Sequence, residues 1–228
     1  MNGRNLSFIK LCSKNRGEMK NKKTAVYEKI KRLIIEGTLA PGLAINESEF
    51  AQSLKVSKTP VREALRELEI EGFVESIPGR GSAVTHISFQ DIREIFELRE
   101  IIECGAVKRA AMLCDLDEVQ VKKKALEQFH GKSHEAKISV WGPEEDVHQF
   151  IVKCINNRKL HETYSGLLNH IKRIRKQFGG RFTRKRYDEI LMEHIEILDA
   201  LIEGNAERAE KAVQIHLRNA GAYLLGLT

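Results

Sequence analysis

No apolar run in this 228-residue chain approaches the roughly 20 residues that a helix needs to cross a membrane. Near the start, Phe8 to Cys12 is the longest apolar stretch. It is too short for the apolar region of a secretory signal and is interrupted by Lys10. The four cysteines, at 12, 104, 114 and 154, are widely spaced and make no CxxC pair. That fits a reducing cytoplasm better than a disulfide framework. No HExxH helix is present, and no residue stands out independently as a general base, which argues against a zinc hydrolase. Strand patterns are missing after Ser88. A cytoplasmic protein of one large or two small domains remains, each long enough for a core.

The chain is basic, with a net charge of +6, yet that excess is not spread along it. Residues 1–23 carry seven cations against Glu18, which accounts for the whole excess. Residues 24–86 hold eight cations and nine acids, and residues 87–228 hold 23 and 22. Any affinity for nucleic acid must therefore come from where charges sit, not from net charge. Residues 1–23 are expected to be a disordered basic tail.

The most informative stretch is VSKTPVREAL at 56–65. Val61, Ala64, Leu65 and Leu68 recur at the spacing of a buried helical stripe. Lys58, Arg62 and Arg66 form a second, cationic stripe. Ser57 can cap the helix, and Pro60 then falls third, where its missing N–H costs no bond. Upstream, residues 25–36 show helical periodicity closed by Gly37, and a short helix is expected over 47–53. The turn Lys55-Val56 joins that helix to the next, a helix-turn-helix. Downstream, weakly alternating segments at 73–77 and 82–85 flank Pro78-Gly79-Arg80-Gly81, a strong turn. They predict a β-hairpin wing with Arg80 at its tip.

Residues 24–86 resemble the winged helix-turn-helix domain of the GntR family of bacterial transcription regulators. APG at 40–42, VSKTPVREAL at 56–65, LEIEGFV at 68–74 and PGRGSAV at 78–84 carry the likeness. It implies that Ser57, Lys58, Thr59 and Arg62 contact operator bases or phosphates, with Arg66 on the same basic face. It implies that Gly79 and Arg80 follow the minor groove. One departure is Ser48, where many members have arginine.

Beyond residue 87 the periodicity predicts only helices, at about 116–130, 143–156, 158–177, 185–203 and 206–225 after a long first one ending near Met112. Ser88 and Asp91 are spaced to cap that first helix. The expected architecture is mainly α: the winged domain, then an antiparallel helical bundle over residues 87–228. Glu144 and His148 stand at i and i+4, on one helix face. His194 and His216 lie at nearly equal distances from the Gly204-Asn205 turn, so an antiparallel hairpin sets them side by side. Two imidazoles and a Glu/His pair are competent metal ligands.

This half is similar to the FCD domain that defines the FadR branch of the GntR family, through ELREIIE at 97–103, the histidine hairpin and INNRKL at 155–160. Metal-binding members place Asp and His at i and i+4, then two histidines 22 residues apart. Here the set is Glu144, His148, His194 and His216, with Glu in place of Asp. The resemblance implies a divalent metal, zinc first, with nickel or manganese as alternatives. It also implies a small carboxylate effector at open metal positions and a homodimer reading a pseudo-palindromic operator. Arg99, His170 and Arg173 are candidate effector contacts; Arg99 could equally form an ion pair with Glu103 on its own helix. The implied activity is metabolite-controlled transcription regulation, most often repression. The competing readings are a metal-dependent enzyme built on the Glu/His cluster and a DNA-binding protein whose metal is structural.

Overall fold

The computed structural model describes residues 22–129 and 147–227. The chain divides into two compact units between Ile87 and Ser88.

In the first unit, α1 (Lys22–Ile35) buries Val26, Ile30, Leu33 and Ile34. Its start takes in Lys22 and Lys23, two residues of the expected tail. The strand β1 (Ala44–Ile45) follows, then α2 (Glu47–Leu54). The Asn46 side chain caps α2 by accepting from the amides of Ser48 and Glu49. The chain leaves α2 through Lys55, whose φ of 55° puts a side-chain-bearing residue in the left-handed region. Next comes α3 (Lys58–Ile70), with Pro60 third and Val61, Ala64, Leu65 and Leu68 buried. Ser57 occupies the N-cap position with extended backbone, but its hydroxyl makes no cap bond.

The wing is β2 (Val74–Ile77) and β3 (Gly81–Val84), paired antiparallel from Val74↔Val84 to Ile77↔Gly81. Gly79 and Gly81 turn the chain at φ of 72° and 84°, angles that other residues reach only at a cost. The expected hairpin proves to be two-thirds of a sheet. β1 adds to the other edge of β3 through Ala44↔Ala83 and Ile45↔Ser82, giving the order β1-β3-β2. Ile45, Phe73, Val74 and Val84 close the core under α1 and α3.

The second unit begins with α4 (Phe89–Leu113), whose Ser88 and Asp91 form both bonds of a capping box. Then come α5 (Leu116–Glu127), α6 (Val147–Cys154) and α7 (Arg158–Phe178). A single 3-10 turn, Gly179–Arg181, leads to α8 (Arg184–Ile202) and α9 (Ala206–Leu224). Helix α9 packs along α4 and forms a hairpin with α8, while α5 lies on α8 and α6 on α4. The core includes Val107, Ala110, Val119, Ile151, Leu168, Ile197, Leu198 and Val213.

The cysteines correct the expectation of separate thiols: Cys114 and Cys154 are bonded, with Cα atoms 5.1 Å apart. The packing of α6 on α4 brings together residues that sequence spacing keeps apart. Cys104 is a buried free thiol, and Cys12 lies outside the described residues.

Left-handed backbone costs an ordinary residue roughly 1–2 kcal/mol, while glycine returns part of that through its freer unfolded state. Lys55→Gly should therefore raise the stability of the first unit by up to about 1 kcal/mol. Urea unfolding would check this; a lower stability would show that the Lys55 side chain contributes more than its backbone costs.

Candidate functional site: a DNA-facing helix and a buried histidine centre

On α3, one face is buried and the other carries Ser57, Lys58, Thr59, Arg62 and Arg66, all exposed. Gly79 and Arg80 are exposed at the wing tip. The structure also engages the acids toward the end of the same helix. Glu67 pairs with Lys23 of α1 at 2.5 Å. Glu71 is bound by Lys31 at 2.5 Å and by the Tyr27 hydroxyl. Glu69 accepts from the Ser76 amide of the wing. The carboxylates at the far end of α3 are thus engaged by the rest of the unit, and its first two turns carry Lys58 and Arg62 together with one exposed acid, Glu63. Arg62 donates through Nε to Glu47 Oε2 at 2.6 Å, which orients the guanidinium.

In the second unit His148 of α6, His194 of α8 and His216 of α9 meet at one point. All three are buried, at 0%, 3% and 3% exposure. His148 Nε2 lies 3.2 Å from His194 Nε2 and 3.1 Å from His216 Nε2. The hairpin expectation holds, with the His194 and His216 rings 4.5 Å apart. Glu144 lies outside the described residues.

Two carboxylates, the buried Glu103 and the partly buried Glu193, neither named as a ligand by the sequence, turn two of these rings inward. Glu103 Oε2 contacts His148 Nδ1 at 2.5 Å. Its Oε1 accepts from Arg99 Nε at 2.7 Å and from the Tyr164 hydroxyl at 2.8 Å. Glu193 Oε2 accepts from His216 Nδ1 at 2.7 Å. Arg186, itself buried, grips Glu193 with both terminal nitrogens, and Asn219 donates to Oε1. With Nδ1 engaged on two rings, their Nε2 atoms face the shared centre, as metal-ligating imidazoles are usually held. The sequence signal for Glu103 was the Arg99/Glu103 i, i+4 spacing. For Glu193 it was only adjacency to His194.

Arg99 is 2% exposed and committed to Glu103, which is the ion-pair alternative for this residue. Arg173 is buried on α7, and burial lowers its pKa, opposed by the charge of Asp91. His170 is partly buried one turn before Ile174.

Burial raises the cost of charge throughout this centre. It pushes His216 down to about 4 despite Glu193, which works the other way. Burial alone would raise Glu103 and Glu193. The charge of Arg99, with the contact from His148, holds Glu103 at about 2 instead. Bonds from His216 and Arg186 do the same for Glu193, also at about 2. His216 is therefore neutral at pH 7, the form that ligates metal.

The triad is a candidate ligand set for a small divalent ion. With metal–nitrogen bonds of ~2.05 Å, neighbouring imidazole nitrogens stand about 2.9 Å apart at octahedral angles and about 3.3 Å at tetrahedral ones. The two separations from His148, 3.1 and 3.2 Å, lie between these. Among the described residues, this triad is a group of metal-competent side chains whose ligand atoms all fall within 4.8 Å.

A winged helix-turn-helix followed by a helical domain with a central histidine triad defines a DNA-binding regulator with a ligand-sensing half. Comparison with known proteins agrees. Residues 22–84 match the family described as bacterial regulatory proteins, gntR family, and residues 94–219 match the FCD domain. The chain is 29% identical to the HTH-type transcriptional regulator YdhC of Bacillus subtilis, over 85% of this chain and 86% of that one. It is 27% identical to the HTH-type transcriptional repressor RspR of Escherichia coli, over 85% and 84% of the two. A crystal structure of a GntR regulator from Rhodococcus superposes with a TM-score of 0.73 at 25% identity, covering 91% of this chain and 99% of that one. The protein belongs to the GntR family of transcription regulators, with an FCD domain. The family acts on DNA rather than as enzymes, and among the described residues no helix is long and apolar enough to cross a membrane.

Acid should destabilise the metal-free second unit in two stages. Between about pH 6.5 and 4 the unfolded chain protonates the histidine at 216 while the folded chain does not, so stability falls as pH falls. Below about 4.5 the unfolded carboxylates at 103 and 193 take up protons that the folded ones refuse down to about 2, and the loss continues. Thermal unfolding followed by circular dichroism would check this. A midpoint unchanged from pH 7 to 4 would contradict the buried-neutral state of His216.

Proposed function

We propose that the protein is a metabolite-responsive repressor, working in the cytoplasm as a homodimer on a pseudo-palindromic operator. Helix α3 enters the major groove with Ser57, Lys58, Thr59, Arg62 and Arg66, and Gly79 and Arg80 follow the adjacent minor groove. The observation that supports this is the exposed stripe of Lys58, Arg62 and Arg66 on α3, with Glu67, Glu69 and Glu71 engaged by α1 and the wing. Homodimer formation is supported by apolar side chains left on the surface of the second unit, including Ile101 and Met112, exposed at 68% and 76%. A symmetric pair would cover such a surface and fix the half-site spacing.

In the FCD half, His148, His194 and His216 hold a divalent metal, zinc first, with Glu144 as a further oxygen ligand. The metal supplies Lewis acidity and open positions for a small carboxylate. Glu103 and Glu193 fix the rings of His148 and His216, while Arg99, Arg186 and Tyr164 hold the carboxylates in place. Arg173 and His170 of α7 are the proposed further contacts to the effector. The effector acts by binding one arrangement of the two halves better than another, because equal affinity would shift nothing.

Arg62→Ala should weaken operator binding by about 1–3 kcal/mol, or roughly tenfold to a hundredfold. A mobility-shift titration reads this directly, and unchanged binding would remove Arg62 from the interface.

His194→Ala combined with His216→Ala should abolish stoichiometric metal in elemental analysis. Glu193→Gln should keep the metal but weaken it by about 10–100-fold. Full metal retention in the double variant would defeat the assignment. If the metal-loaded protein's melting temperature ignored every small organic acid tried, the ion would be structural only.

A further inference from the structure

The disulfide joins two of the helices that build the histidine centre. Cys114 caps the C-terminal end of α4, the helix that carries Arg99 and Glu103. Cys154 ends α6, the helix that carries His148. It follows His148 by six residues, about 9 Å along the helix. The Cys114–Cys154 bond thus ties together the two helices whose facing side chains, Glu103 and His148, touch at 2.5 Å. Both cysteines are partly exposed, within reach of small reagents. Cys104, by contrast, is buried, and burial pushes its thiol up to about 11.

We infer that Cys114 and Cys154 form a reversible thiol–disulfide modification site that governs how firmly α6, and with it His148, is held against α4. The inference rests on the proposed function in one respect: a regulator at work on the chromosome sits among reducing thiols, where a cysteine pair is reduced by default and a disulfide is a signal. The oxidant class is a hydroperoxide. One thiolate attacks the outer peroxide oxygen, the O–O bond breaks, and the departing alkoxide or hydroxide takes a proton. The resulting sulfenic acid is attacked by the second thiolate; the S–S bond forms, the S–O bond breaks and hydroxide leaves as water. Two thiols lose two electrons in all, and the peroxide is reduced to an alcohol, or to water, plus water. A dithiol reductant reverses the step by exchange.

The pin acts on α6 at its end, whereas a metal would act on it through His148. Closing the disulfide therefore preorganises one ligand of the centre and slows local opening of the helix.

The test uses full-length metal-free protein, either reduced by dithiothreitol and desalted or treated with hydrogen peroxide. Peptide mapping after alkylation should find Cys114 linked to Cys154 only in the oxidised sample, and free again after dithiothreitol. Amide hydrogen exchange across residues 147–154 should slow by about tenfold in the oxidised state. A Cys114→Ser/Cys154→Ser variant, checked for folding by circular dichroism, should exchange at one rate under both treatments. Manganese, a poor thiolate ligand, should bind the oxidised protein several-fold more tightly. Failure to form the link, or equal exchange rates across α6 in both states, would overturn the inference. Absence of manganese binding in both states would count against the metal reading instead, leaving mapping and exchange to decide this one.

Discussion

The second unit is organised around the burial of ionisable groups at a single point. Three imidazoles, two carboxylates and two guanidiniums meet where four helices cross, and none of them would be stable there alone. Glu103 is acceptable because Arg99, Tyr164 and His148 surround it. Glu193 is acceptable because Arg186, Asn219 and His216 do. The apolar core shuts out water, and that exclusion both keeps His216 neutral and makes each of these pairs matter. Removing one partner leaves an uncompensated group on α4, α6, α8 or α9, so the positions of all four helices depend on this centre.

The first unit solves a different electrostatic problem by similar means. Its total charge is close to balanced, so a basic face on α3 depends on acids toward the end of the helix being held by neighbouring elements. Lys23, Lys31 and Tyr27 of α1 engage the acids toward the end of the helix, and the wing amide of Ser76 engages another. The basic residues at the start of the helix are left to face outward.

Much of this was legible in the residues. The helices announced themselves because their apolar positions recur over many turns, and Val61, Ala64, Leu65 and Leu68 do pack inward. The His194/His216 pairing could be read because a helical hairpin converts sequence distance from a turn into height. β1 could not be read, since two residues carry no period. The Cys114–Cys154 bond was missed for another reason: it depends on where α6 comes to rest on α4, which spacing does not encode. The carboxylates behind His148 and His216 were hidden likewise, because Glu103 and His148 belong to helices brought together only by tertiary packing. Ser57 shows the opposite case, a residue in its expected place whose hydroxyl does not make the expected bond.

The hairpin of α8 and α9 has one more consequence. His194 and His216 meet because the tight connection at Gly204 and Asn205, with Gly204 at a φ of 65°, sets the rotational phase of one helix against the other. One residue inserted there would carry every side chain of α9 about 100° around its axis. His216 would swing away from His148, and Asn219 would leave Glu193 with it. The length of that connection is therefore as much a part of the histidine centre as the imidazoles. Lineages that keep the centre should tolerate substitution in the turn far better than insertion or deletion.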